Sequence, residues 1–111
     1  MIYILMGLIA YLAYKKYSQR QVLKLVPSLL LQGAQIVDVR SVAEYRIGNN
    51  KGSINMPLDT LTSRINELDS TKPILICCAS GSRSSIAKRT FIAKGFTNVH
   101  NVGSWKSLKD L

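Results

Sequence analysis

Residues 72–95 read as a strand, a tight turn and a helix in immediate succession, and that order restricts the class of fold. Lys72-Pro73 precedes Ile74-Leu75-Ile76-Cys77, a short aliphatic run with the character of a buried strand. Cys78-Ala79-Ser80-Gly81-Ser82-Arg83-Ser84 is small and polar, the composition of a turn. From Ser84 the apolar positions Ile86, Ala87, Phe91 and Ile92 recur at helical spacing, and Gly95 is a natural stop. Residues 35–39, 54–57 and 99–102 also read as extended, while Leu58, Leu61, Ile65 and Leu68 mark one face of a helix. Ser41 with Glu44 three residues on predicts a capping box. Strands alternating with helices predict an α/β domain with a mainly parallel central sheet and helices on both faces. Ligands of such sheets bind at the carboxyl ends of the strands, where Cys78 stands.

Cys77 and Cys78 invite different readings although they are neighbours. Free cysteine commonly serves as a small core hydrophobe, which suits Cys77 because it continues the strand. Cys78 opens the polar turn, so it is expected to face backbone N–H groups and the positive end of the helix dipole, with Arg83 nearby. Those surroundings lower a thiol pKa and make the sulfur a nucleophile. Adjacent cysteines bridge only with strain, so no disulfide framework is expected, and His100 stands alone, which excludes zinc spacing. Neither a metal nor a cofactor is called for.

The net charge of +9 is unevenly spread over the 111 residues. Residues 1–35 contribute +4, residues 36–70 contribute −1 and residues 71–111 contribute +6. With no arginine-rich run or aromatic stacking motif, nucleic acid is not an expected partner. Basicity in the carboxyl-terminal third favours small anionic substrates. Thirteen uncharged, mostly apolar residues, 2–14, precede Lys15, Lys16 and Arg20, a pattern that predicts a hydrophobic anchor helix over 1–17 and a membrane partner. Cations on its carboxyl side alone would leave the rest of the chain in the cytoplasm. Residues 18–29 then read as a linker, with Pro27 opening a second short helix that ends near Gly33, and residues 30–111 as the domain.

Several pieces in fixed order carry a resemblance. They are Val37-Asp38-Val39-Arg40, Glu44-Tyr45, Gly52-Ser53-Ile54-Asn55-Met56-Pro57-Leu58, Cys78 to Ser84, Gly95-Phe96, and Asn101-Val102-Gly103-Ser104-Trp105. Together they make residues 30–111 similar to a single-domain rhodanese, the thiosulfate sulfurtransferase family. Two departures stand out. Gly48-Asn49-Asn50 replaces a frequent Gly-His-Ile, and Gly103-Ser104 replaces Gly-Gly. The resemblance implies a three-layer α/β domain whose cysteine, here Cys78, lies at the bottom of a loop and carries a persulfide.

It also implies a chemistry. A thiolate takes the sulfane sulfur of thiosulfate, releases sulfite, and passes the sulfur to cyanide or a thiol. Ala79, Ser80, Gly81, Ser82, Arg83 and Ser84 would bind the substrate. In this reading backbone N–H groups cradle the anion, Arg83 meets the sulfonate or the thiolate, and Ser84 caps the helix with its hydroxyl toward the sulfur. Asp38, Arg40 and Glu44 are expected to support the loop, Asp38 by accepting its N–H groups and Arg40 by pairing with Glu44. Trp105 is expected in the packing. A membrane-tethered persulfide carrier or interaction module is the alternative. A cysteine phosphatase or arsenate reductase is a weaker one, because its C-x5-R spacing appears only when counted from Cys77.

Overall fold

A computed structural model describes residues 1–109. The expected domain end at residues 110 and 111 lies outside the described residues. Among the described residues four strands form one sheet: β1 (Gln35–Asp38), β2 (Ile54–Asn55), β3 (Ile74–Cys78) and β4 (Val99–Ser104). Their order is β2-β1-β3-β4 and every pairing is parallel. The helices are α1 (Ile2–Leu31), α2 (Val42–Ile47), α3 (Leu61–Arg64) and α4 (Ser82–Ala93), with single 3-10 turns at 58–60, 65–67 and 105–108.

Side chains alternate across a strand, so β3 feeds two cores. Ile74, Ile76 and Cys78 point to one side, where they join Val37, Val39, Met56, Leu61, Ile65, Ala87 and Phe91. Leu75 and Cys77 point to the other, into a smaller cluster with Val26, Leu29, Val102 and Leu108. Phe91 is fully buried and meets Phe96 edge to face at 5.0 Å. Burial of a side chain of that size stabilises the fold by roughly 1.5–3 kcal/mol. The mainly parallel sheet with helices on both faces is as expected.

Two elements differ from the expected ones. Leu58–Leu68 is not one helix but a 3-10 turn, a single α-helical turn and another 3-10 turn. Thr60 and Ser63 hydroxyls donate to the carbonyls of Pro57 and Thr60, bonds that favour such tight turns over a continuous helix. Leu61, Ile65 and Leu68 still reach the core.

The larger difference is at the amino terminus. A single helix of 30 residues runs through both the expected anchor and the expected linker, with Pro27 inside it. A mid-helix proline costs about 3 kcal/mol. Burial of Val26 and Leu29 on either side of it, with Val22 and Leu23 packed against the same cluster, offsets that cost. The expected anchor helix over 1–17 is not supported as a membrane span: among the described residues no helix is long and apolar enough to cross a membrane. The apolar stretch spans only about 20 Å as a helix, and Lys15, Lys16, Arg20 and Lys24 follow it. The expectation of a membrane partner therefore loses its basis. Every residue from Met1 to Tyr17 is exposed, although Tyr11, Leu12 and Tyr14 to Lys16 still border grooves beside β4 and α4.

Candidate active site

β3 ends at Cys78 and α4 begins at Ser82, so three residues make the turn. Gly81 occupies the N-cap position with φ +99°, a left-handed conformation that glycine adopts without steric cost. A Cβ there would also meet the Cα of Gly103 at 3.4 Å. This turn carries the Gly81 amide back over the strand end, where it donates to Cys78 Sγ at 2.9 Å.

Ser84 is not the cap. It lies inside the first turn of α4, fully buried, with its hydroxyl oxygen 3.4 Å from Cys78 Sγ. The hydroxyl was expected to face the sulfur, and it does. Burial raises the Cys78 pKa, but the Ser84 hydroxyl and the amides of Ser84, Gly81 and Ser80 outweigh it, so the thiol titrates below its ordinary value. The sulfur has no exposed surface, whereas Ala79, Ser80 and Ser82 form an exposed rim above it.

Arg83 does not stand open to an anion. Its two terminal nitrogens donate to the two Glu44 oxygens at 2.6 and 2.9 Å, a bidentate pair bridging α4 and α2. Glu44 also completes the predicted capping box with Ser41. The Arg83 guanidinium, then the Ser41 amide, lower the Glu44 pKa to about 2.

The expected Arg40–Glu44 bridge therefore does not form. Arg40 turns back on Asp38, donating from Nε at 2.9 Å and from a terminal nitrogen at 2.7 Å. Both side chains are buried, which places a closed ion pair under the loop after β1. The Arg40 guanidinium lies 4.3 Å from the Trp105 ring centroid and donates to the carbonyl of Gly48 at 2.7 Å. Asp38 accepts from Arg40 instead of from the cysteine loop, since the neighbouring guanidinium satisfies both of its oxygens. The expected supporting trio thus divides into two pairs, Asp38–Arg40 and Glu44–Arg83.

Two positions carry more than sequence reasoning gave them. Asn101 donates to the Gly81 carbonyl at 3.1 Å and to Ser85 Oγ at 2.9 Å, and its Oδ1 lies 2.7 Å from the Ser84 hydroxyl, whose single hydrogen serves Asn101 while Cys78 is a thiol and turns to the sulfur when Cys78 is a thiolate. Its Oδ1 also accepts from the Gly103 amide at 2.9 Å. A carbonyl only accepts and an amide N–H only donates, so these two partners fix the orientation of the Asn101 side chain. Asn101 reaches the loop because β4 shifts register against β3 between Ile76 and Cys77, so that Cys77 pairs with Gly103. The only sequence signal was its place in the Asn101 to Trp105 piece. Gln19, read as linker, donates to the Val102 carbonyl and packs on Gly103.

No group of three metal-ligating side chains occurs among the described residues. The polar groups converge on one sulfur atom. A rhodanese-like domain model matches residues 20–110. The chain belongs to the rhodanese-like family.

Individual relatives agree. A putative sulfur carrier protein of Bacillus subtilis, YrkF, is 39% identical over 71 residues, covering 64% of this chain and 38% of its own length. Thiosulfate sulfurtransferase GlpE of Pseudomonas entomophila is 28% identical over 98 residues, covering 85% of this chain and 86% of its own length. A solved rhodanese with anions from E. coli superposes with a TM-score of 0.64 at 29% identity, covering 68% of this chain and 92% of its own. The match covers 38% and 55% of the lengths of two Bacillus subtilis relatives, YrkF and YqhL.

Proposed function

We propose that this rhodanese-like domain is a sulfurtransferase that moves a sulfane sulfur from thiosulfate or a related donor to a thiol or cyanide. The Cys78 thiolate attacks the outer sulfur of thiosulfate, the S–S bond of the donor breaks with its electron pair leaving on sulfite, and Cys78 becomes a persulfide. Cyanide or a thiolate then attacks the outer sulfur of the persulfide, and the bonding pair returns to Cys78 Sγ. No metal, oxidant or cofactor enters either step.

The observation that carries this reading is the Gly81 amide 2.9 Å from Cys78 Sγ with the Ser84 hydroxyl beside it. Hydrogen-bond donors fixed before reaction stabilise the sulfur anion present at the start and end of each cycle. Ala79, Ser80 and Ser82 at the exposed rim keep the approach free of bulk. Phosphatase or arsenate reductase chemistry is disfavoured, because the loop is one residue short from Cys78. Glu44 also occupies the guanidinium that a tetrahedral oxyanion would need.

A second reading, a persulfide carrier for a protein thiol, draws support from the relative named a putative sulfur carrier. Intact mass after incubation with thiosulfate tests the shared step. The expected result is a gain of one sulfur, absent in Cys78→Ser; hydrolysis of an aryl phosphate without that gain would overturn it. Vigorous turnover with cyanide and small thiols alone would exclude the carrier.

A further inference from the structure

Glu44 neutralises Arg83, the one cation within the turn from Cys78 to Ser84, so any charge selection must come from outside the loop. Lys15, Lys16 and Arg20 of α1 border the loop from outside. The Gln19 side chain fixes α1 against β4 by its bond to the Val102 carbonyl and its contact with Gly103. Gly103 in turn backs directly on Gly81. One turn of helix on either side of Gln19 therefore lies beside the mouth of the loop.

A groove of about 430 Å³ runs there, with Lys15, Lys16 and Arg20 on one wall and Ser80, Ser104 and Ser107 on the other. It has the size of a small-molecule site. Among the described residues no acidic side chain lines it, and none of the three cations has an ion-pair partner. Lys15 also borders a second groove with Lys88 and Arg89 of α4, which adds charge of the same sign. Ser80 is an exposed rim residue, so the groove opens onto the path to the sulfur.

We propose that Lys15, Lys16 and Arg20 are specificity-determining residues that select anionic, low-molecular-mass thiols as sulfur acceptors over neutral ones. This rests on the sulfurtransferase reading of Cys78. Thiosulfate alone fills a minor part of the groove, which leaves room for an acceptor that carries carboxylates beside its thiol. In the transfer the acceptor thiolate forms a bond to the outer sulfur while the bond from that sulfur to Cys78 Sγ breaks. The acceptor leaves as a persulfide and Cys78 returns as a thiolate. Clustered like charges beside a cleft raise the local concentration of an anion, an effect that salt screens.

Single-turnover transfer from persulfide-loaded full chain to mercaptosuccinate and to 2-mercaptoethanol gives an anionic-to-neutral rate ratio. In the Lys15→Gln, Lys16→Gln, Arg20→Gln triple variant this ratio falls about three- to fivefold at low ionic strength. Lys94→Gln, at the far end of α4, leaves it unchanged. Alkylation of Cys78 by iodoacetate against iodoacetamide, in a Cys77→Ala background, reads the same field without any sulfur transfer and is expected to fall in parallel. An unchanged alkylation ratio in the triple variant, or an equal fall in Lys94→Gln, overturns the assignment. If no sulfur is transferred to any thiol, the functional reading fails, and the alkylation ratio still decides the charge assignment.

Discussion

Cys77 and Cys78 are adjacent, equally inaccessible to solvent, and chemically opposite. Cys77 faces the cluster of Leu75, Val26 and Val102, where burial first and then the nearby Asp38 carboxylate push its thiol pKa far up. Cys78 faces the loop, where the Ser84 hydroxyl and three amides bring its pKa down despite burial. Burial alone therefore does not decide the ionisation of a cysteine. The polar hydrogens that reach the sulfur do, and the alternation of one β-strand determines which cysteine receives them.

The largest test of this contrast exchanges the two residues' fates. Cys78→Ser is expected to abolish sulfur uptake from thiosulfate, measured by intact mass, while Cys77→Ala retains most of it. The Cys77 variant loses about 1 kcal/mol of stability by denaturant unfolding, from the small void it leaves. A near-total loss of uptake in Cys77→Ala would erase the contrast.

Backbone conformation comes next. Gly81→Ala places a Cβ on a left-handed residue against Gly103, so it is expected to cost about 1–2 kcal/mol. It should also slow Cys78 alkylation about tenfold or more by displacing the amide. Gly95 has φ +96° with nothing near its Cβ position. Gly95→Ala should lose similar stability and keep the alkylation rate. Equal rates in the two variants would show that the Gly81 amide does not hold the sulfur.

A smaller effect is expected from the hydroxyl. Ser84→Ala removes one of the groups that lower the Cys78 pKa, so its alkylation at neutral pH should slow about three- to tenfold. The same change should leave Cys77 unreactive. Smallest of all is the pH response of Glu44. Its folded pKa of about 2 lies below the ordinary carboxylate value, so its pairing stabilises the fold above that ordinary value. That contribution is lost only as pH falls toward 2. Between pH 8 and pH 5 Glu44 stays ionised, and any fall in alkylation there belongs to the thiol. Glu44→Gln should move the midpoint of that fall less than Ser84→Ala does; a larger movement would place the charge pair, not the hydroxyl, in control of the sulfur.

The sheet was legible because its signals are local. Ile74 to Cys77 and the helix after it announce themselves by period and by the Gly/Ser turn between them. Cys78 was legible for the same reason, since its position follows from where the strand stops. The partners of charged residues were not. Arg83 and Glu44 are 39 residues apart, and only the packing of α2 beside α4 brings them together. Arg40 could close onto Asp38 or onto Glu44 from spacing alone, and the stacking on Trp105 that accompanies its pairing with Asp38 is a tertiary event. The amino-terminal helix misled because hydropathy is read along the chain. Val22, Leu23, Val26 and Leu29 recur near helical spacing, but the sheet face that covers them lies far along the chain, and burial there carries α1 past Pro27. Asn101 depends on a register shift between two strands, whose one mark in residue type is Gly103 at φ +78°, not anything at position 101 itself.

The central claim is that the amide and hydroxyl hydrogens at the start of α4 keep the sulfur of Cys78 ionised at a pH where an ordinary thiol is protonated. Iodoacetamide alkylation of Cys77→Ala as a function of pH measures this directly. The predicted profile has its midpoint below the ordinary thiol value of about 8.5, and Ser84→Ala moves it upward. A midpoint at or above that value, unmoved by Ser84→Ala, would contradict the account.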